Sequence, residues 1–162
     1  MITLGVDPGT ARLGYGVVLG GDAPTTPAFG VIETAAGTPM PDRLSALYDG
    51  LIALIGKHGP TVLAVEQLFF ARNVTNAMTV GQARGVVLLA AARSGLPVAE
   101  YTPAEVKQAV VGYGKADKGQ MQEMVRLILG LDRPPRPDDA ADALAVALCH
   151  TQTAPFRARL AQ

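Results

Sequence analysis

Four carboxylates stand where a metal-dependent phosphodiesterase would need them. Asp7 closes the first apolar run (ITLGVDPGT), Glu66 closes a later one (TVLAVEQ), and Asp139 and Asp142 open the last helical pattern. A strand built of Ile2, Leu4 and Val6 gains nothing from an aspartate at its end, and Val62 to Val65 gain nothing from Glu66. A charge beside a core must be solvated, paired or metal-bound, because burying it bare is too costly for a small domain. Four acids with no histidine or cysteine among them make a hard oxygen site, which favours Mg²⁺, with Mn²⁺ as its substitute, over Zn²⁺. Two such ions, about 3.5 to 4 Å apart, flank the attacking water and the leaving oxygen of an in-line phosphoryl transfer. The implied reaction is phosphodiester hydrolysis. Arg72, Lys107, Lys115 and Lys118 lie in or beside segments that should border such a site, as contacts for phosphate. Phe69 and Phe70 follow Glu66 in a polar stretch, where an aromatic ring can stack on or wedge between bases.

Each feature also has a plainer reading. DPGT is a turn, since proline sets φ and glycine permits positive φ, and D-x-G-T also occurs in the phosphate loops of actin-like and sugar kinases. Glu66 alone reads as a solvated strand end. Asp138, Asp139 and Asp142 read as a helix cap worth roughly 0.5 to 2 kcal/mol and dipole charges worth roughly 0.3 to 1 each. That account suits Asp138 best and Asp142 least, because Asp142 lies past the first turn in an apolar stretch. Phe70 reads as core and Lys107 as a solvated lysine. The joint occurrence favours the chemical reading.

The elements that must position these residues follow from the apolar pattern. After the first strand come two short β patterns, Tyr15 to Leu19 and Ala28 to Thr34, bounded by turn residues, which predicts a three-strand meander. Leu44, Leu47, Leu51, Ile52 and Ile55 give a helix over Pro41 to His58, stopped by Gly59 and Pro60. Then follow a strand at Thr61 to Glu66, a loop at Gln67 to Asn76, a long helix from about Ala77 to Ser94, and a strand at Val98 to Tyr101. A helix capped by Thr102 with Pro103 at its first position comes next. The remainder predicts helices at Lys118 to Leu129 and at Asp138 to about His150, around a proline-rich link at Arg133 to Pro137. If the first and fourth strands are parallel neighbours, Asp7 and Glu66 converge at their carboxyl ends, where α/β sheets place their sites. Asp139 and Asp142, three apart, share a helix face.

The expected architecture is one α/β domain over residues 1–152 with a flexible tail at 153–162, within a chain of 162 residues. A single cysteine, Cys149, excludes a disulfide framework and a cysteine zinc site, and with no signal-peptide pattern it suggests the cytoplasm. Mean hydropathy is mildly positive, yet no apolar run approaches the roughly 18 to 20 residues of a membrane span. Net charge is zero. Metal neutralisation of four of the 14 acids would leave 10 against 14 Lys plus Arg, a basic balance suited to a polyanion.

Four blocks, GVDPGTARLGYGVV, AVEQLFFARNVTNAMTVGQARG, EYTPAEVKQAVVGYGKADKGQ and PDDAADALAVALCH, taken in order, resemble the RuvC family of Holliday-junction resolvases across nearly the whole chain. The resemblance implies a ribonuclease-H-like fold with a mixed five-stranded sheet flanked by helices. It implies a homodimer that nicks two opposed strands of a four-way DNA junction with two Mg²⁺ ions per site, in recombination and repair. It maps the family's acidic residues onto Asp7, Glu66, Asp139 and Asp142, and its junction-contacting aromatic and lysines onto Phe69, Lys107 and Lys118. A branch-migration motor of the RuvA and RuvB type is a partner by resemblance only. Asp138 is an extra acid beside the matched pair. On the helix near 77–94, Gly81 and Gly85, with Val86, Leu89, Ala90 and Arg93, suggest a surface for close helix approach in a dimer. The alternatives are a related RNA-processing nuclease of the YqgF type, an actin-like kinase lacking room for its second half, and a junction-binding module without catalysis.

Overall fold

The computed structural model describes residues 1–67 and 74–160, with side chains at all of these except 74, 75 and 156–160. The described elements run β1 (Ile2–Asp7), β2 (Arg12–Leu19), β3 (Thr25–Glu33), α1 (Met40–His58), β4 (Val62–Glu66), α2 (Val74–Arg93), β5 (Val98–Tyr101), α3 (Pro103–Val111), α4 (Lys118–Leu129) and α5 (Asp138–Leu160). Five strands form one mixed sheet in the order β3-β2-β1-β4-β5. The first three are the expected antiparallel meander. β4 pairs parallel with β1, and β5 parallel with β4. The helix α1 makes the crossover between β1's meander and β4.

Alternation along the strands divides the sheet into two unlike faces. Leu4 and Val6, Leu13 and Val17, and Leu63 and Val65 point to one face, where they are fully buried with Leu47 and Leu51 of α1 and Ala83, Val87, Ala90 and Ala91 of α2. Burying each such Leu or Val contributes about 1.5 to 3 kcal/mol, so this layer supplies much of the stability. The opposite face carries Thr3, Gly5 and Asp7 on β1, with Gly14 and Gly16 on β2, and α5 lies across it. A helix can approach this closely only because side chains are missing. A Cβ at Gly5 would overlap the Ala143 carbonyl oxygen, and a Cβ at Gly14 would overlap that of Asp139. The facing stretch of α5 is correspondingly small and apolar, with Ala140, Ala141, Ala143, Leu144 and Ala147 all buried.

Several boundaries differ from the apolar pattern. β2 begins at Arg12 and β3 at Thr25, each three residues earlier than expected. Backbone pairing of Asp7 with Gly14 and of Arg12 with Glu33 carries the strands past the point where the hydrophobic signal fades. α2 starts at Val74. α5 continues to Leu160, beyond the expected end at His150 and through most of the segment assigned to a tail, with Pro155 inside it. Its extension is fastened to the sheet: the Tyr101 hydroxyl lies 2.8 Å from His150 Nδ1 and 3.2 Å from Thr153 Oγ1. Thr102 caps α3 in a reciprocal box with Glu105, as its sequence indicates, and Asp117 caps α4 in the same way with Gln120.

Candidate active site

β1 and β4 run in parallel register, Val6 beside Val65, so Asp7 and Glu66 leave the sheet side by side at its carboxyl edge. Asp7 shares its face with Gly5, two residues back, and therefore points toward α5. Asp139 and Asp142 lie on the first turns of that helix. With Gly14 admitting the backbone of Asp139, the two helical acids approach the two strand acids.

Their electrostatics register the convergence. Burial, then the charges of Asp142, Asp139 and Glu66, pushes the Asp7 carboxyl up to about 7 from an ordinary 3.8, with Lys118 opposing. Glu66 is raised by burial and by Asp142, with Lys107 opposing. Asp142 is raised by burial, while Lys118 pulls it down and Asp138 and Asp139 push it up. Burial and mutual repulsion together raise the proton affinity of Asp7, Glu66 and Asp142, and a bound cation would compensate both.

An open cleft of about 320 Å³ adjoins the acids, lined by Glu66 and Asp142 together with Lys107 and Lys118. Three cations draw on the helical carboxylates and their neighbour. Lys118 Nζ lies 3.1 Å from Asp138 and 3.7 Å from Asp142. Arg12 lies 3.8 Å from Asp139 and 3.3 Å from Glu33. Arg136 donates to Asp138 at 2.7 Å. Among the described residues, no three acidic, histidine or cysteine side chains stand close enough to hold one ion as they are oriented. Asp139 and Asp142 stand in ion-pair contact with Arg12 and Lys118 respectively. By donor type and by uncompensated charge the four acids nevertheless suit a hard divalent cation, which competes with those two side chains for the same oxygens.

The structure thus brings together Asp7, Glu66, Asp139 and Asp142, and sets Lys107 and Lys118 in the adjoining cleft. Lys115 is exposed in the α3–α4 connection, outside the lining of the cleft. Phe69, Phe70 and Arg72 lie outside the described residues. Asp138 is the first residue of α5, and its carboxylate engages Gln122, Arg136 and Lys118 instead of serving as the expected helix cap. Two positioning residues were not visible in the sequence pattern. Arg84 of α2 donates to the Glu66 carbonyl at 2.8 Å and pairs with Glu100 at 2.6 Å, tying the site end of β4 to β5. Gln122 is a buried polar residue on α4. Its one sequence signal is its place four residues after Lys118, on the same helix face.

The family model for the crossover junction endodeoxyribonuclease RuvC matches residues 3–150. The crossover junction endodeoxyribonuclease RuvC of Chloroflexus aggregans is 60% identical over 156 residues, covering 96% of this chain and 95% of that one. A solved structure of Thermus thermophilus RuvC superposes with a TM-score of 0.90 at 38% identity, over 97% of each chain. A second, of T. thermophilus RuvC in complex with a Holliday junction substrate, gives a TM-score of 0.92 at 40% identity, over 97% of this chain and 96% of that one. The mixed sheet with its two helical layers is therefore the ribonuclease-H-like fold of those structures.

Proposed function

The chain belongs to the RuvC family of crossover junction endodeoxyribonucleases, and we propose that its carboxylate cluster resolves four-way DNA junctions by paired nicks in opposed strands. The observation that carries this is the meeting of Asp7 and Glu66 from two parallel strands with Asp142 and Asp139 from α5, where burial and then the neighbouring charges push Asp7 up to about 7. Asp7, Glu66, Asp139 and Asp142 would hold Mg²⁺, two ions per site, with Mn²⁺ as a substitute. When bound, such ions supply Lewis-acid stabilisation and lower the pKa of water.

The chain's own residues do the rest. At neutral pH the Asp7 carboxyl is poised between protonated and ionised forms, so it can release its proton as it takes up a cation. Lys107 and Lys118, which line the cleft beside Glu66 and Asp142, are proposed to receive the phosphates on either side of the cut. Arg84 fixes the backbone from which Glu66 projects. Arg72 and Lys115 are proposed as further backbone contacts, and Phe69 as the aromatic that props the junction open. Those three assignments rest on the sequence.

Paired nicks need two sites related by a two-fold axis, and α2 is the proposed dimer surface. Its outer stripe is Met78, Gln82, Gly85, Leu89 and Arg93, with Met78 66% and Leu89 53% exposed. Ala90, expected on that surface, is fully buried against the sheet, and Val86 packs on the same core. Association with a RuvA- and RuvB-type motor, and a cytoplasmic location, are proposed from the family. Among the described residues no helix is long and apolar enough to cross a membrane.

The deciding experiment is cleavage of a labelled four-way junction in Mg²⁺, beside linear duplex and RNA·DNA hybrid. Symmetric nicks confined to the junction support the proposal, and equal cutting of all three substrates sinks it.

A further inference from the structure

Asp138 is an acid that the catalytic reading does not use, and its surroundings are unusually specific. Its Oδ1 accepts from Gln122 Nε2 at 2.9 Å and from Arg136 Nη1 at 2.7 Å. Gln122 is itself 7% exposed, so that donor is held in place by the packing of α4. With Oδ1 occupied, Oδ2 is the oxygen left for the Lys118 ammonium, at 3.1 Å. The same ammonium lies 3.7 Å from Oδ2 of Asp142. One lysine is thus shared unequally between an acid outside the proposed metal set and an acid inside it, and the outside acid has the shorter contact.

We propose that Asp138 is a positioning residue for Lys118: seated by Gln122 and Arg136, it retains the ammonium at the lip of the cleft and keeps it from closing on Asp142. Asp142, which the ammonium reaches only at the longer distance, then yields more readily to a divalent cation, and Lys118 stays directed toward the cleft that it lines with Lys107. Without Asp138, Asp142 is, among the described residues, the remaining carboxylate within ion-pair distance of Lys118. The lysine would settle there as an internal competitor for the metal. The proposal rests on the reading of the carboxylates as a divalent-cation site.

A double-mutant cycle read by Mn²⁺ binding to the full chain without DNA tests it, using calorimetry at low ionic strength. Asp138→Asn should weaken Mn²⁺ binding by about two- to fivefold, the size of effect an exposed ion pair produces. In a Lys118→Gln background the same substitution should change nothing, because the competitor is gone. Asp138→Glu, which keeps a carboxylate within reach, should restore part of the affinity. If Asp138 acts instead through its own negative charge, Asp138→Asn will weaken Mn²⁺ equally with and without Lys118, and the proposal is overturned. Unchanged binding in Asp138→Asn also overturns it. A different failure, wild type and Asp7→Asn binding Mn²⁺ alike, removes the carboxylate site itself and the proposal with it.

Discussion

Gly14 is the register partner of Asp7 across the β1–β2 pair, and it is also where the Asp139 backbone rests on the sheet. One missing side chain therefore sets the spacing between the strand acids and the helix acids. Gly14→Ala forces α5 outward or strains the strand, and overpacking of this kind costs about 1 to 3 kcal/mol. Cleavage should fall far more than stability does. Gly37→Ala is the matched control, since Gly37 sits at φ +78° with nothing within 4 Å of the added Cβ, so it strains the chain away from the site. Junction cleavage measured well below both melting temperatures should separate the two variants. Equal activity would mean that α5's closeness does not matter.

The raised Asp7 carboxyl makes stability depend on pH in a definite direction. Unfolded, the group titrates near 3.8; folded, near 7. The folded state then binds the proton more tightly, so stability is full below about 4 and is lost as pH rises from 4 through 7. Asp7→Asn removes the charge and should melt higher than wild type at pH 8 in EDTA, with the gap closing toward pH 5. Added Mg²⁺ should close it from the other side, by stabilising the wild type alone. A variant that melts lower than wild type at pH 8 without metal would contradict the repulsion among these acids.

Loss of chemistry should dissociate from loss of binding. Asp7→Asn, Glu66→Gln, Asp139→Asn and Asp142→Asn each preserve shape, and each should lower cleavage by orders of magnitude in saturating Mg²⁺ while junction binding by gel shift changes little. Full nicking by Asp7→Asn would take the cluster out of the mechanism.

The four acids were legible in the sequence because each interrupts an apolar pattern. The convergence of Asp7 with Glu66 followed from reading β1 and β4 as parallel neighbours, as they are. Their pairing with cations was not legible, because Arg12 reaches Asp139 only through the hairpin geometry, and Lys118 reaches Asp138 only through α4 packing on α5. Arg84 is hidden for the same reason, since its partners Glu66 and Glu100 lie 18 and 16 residues away in the chain. Nor does periodicity reveal where α5 ends. Polar Thr151 and Thr153 look like a fraying tail until their hydroxyls are seen donating to Ala147 and Cys149 carbonyls within the helix.

Phe69 is assigned to substrate distortion by sequence, outside the described residues. A wedge side chain offsets the few kcal/mol of unstacking a base step by holding the junction open. Phe69→Ala should lose cleavage of intact junctions and recover part of it on junctions already unpaired beside the cut. If the variant instead loses about 3 to 5 kcal/mol of stability, as a buried Phe→Ala change does, Phe69 is a core residue and the wedge passes to Phe70 or Arg72.

Adjacent residues on α2 give the final prediction, because Leu89 is 53% exposed and Ala90 is fully buried. A charge at Leu89 meets only solvent in a monomer but enters an apolar surface in a dimer, where an unpaired charge is strongly unfavourable. A charge at Ala90 enters the sheet core whatever the assembly. Leu89→Glu should therefore yield a folded monomer by sedimentation at micromolar concentration, while Ala90→Glu should not fold. Nicking by the Leu89→Glu monomer should become uncoupled, with one strand cut and the opposed strand left intact in most junctions. A Leu89→Glu protein that still sediments as a dimer and cuts both strands together would move the interface off this face of α2.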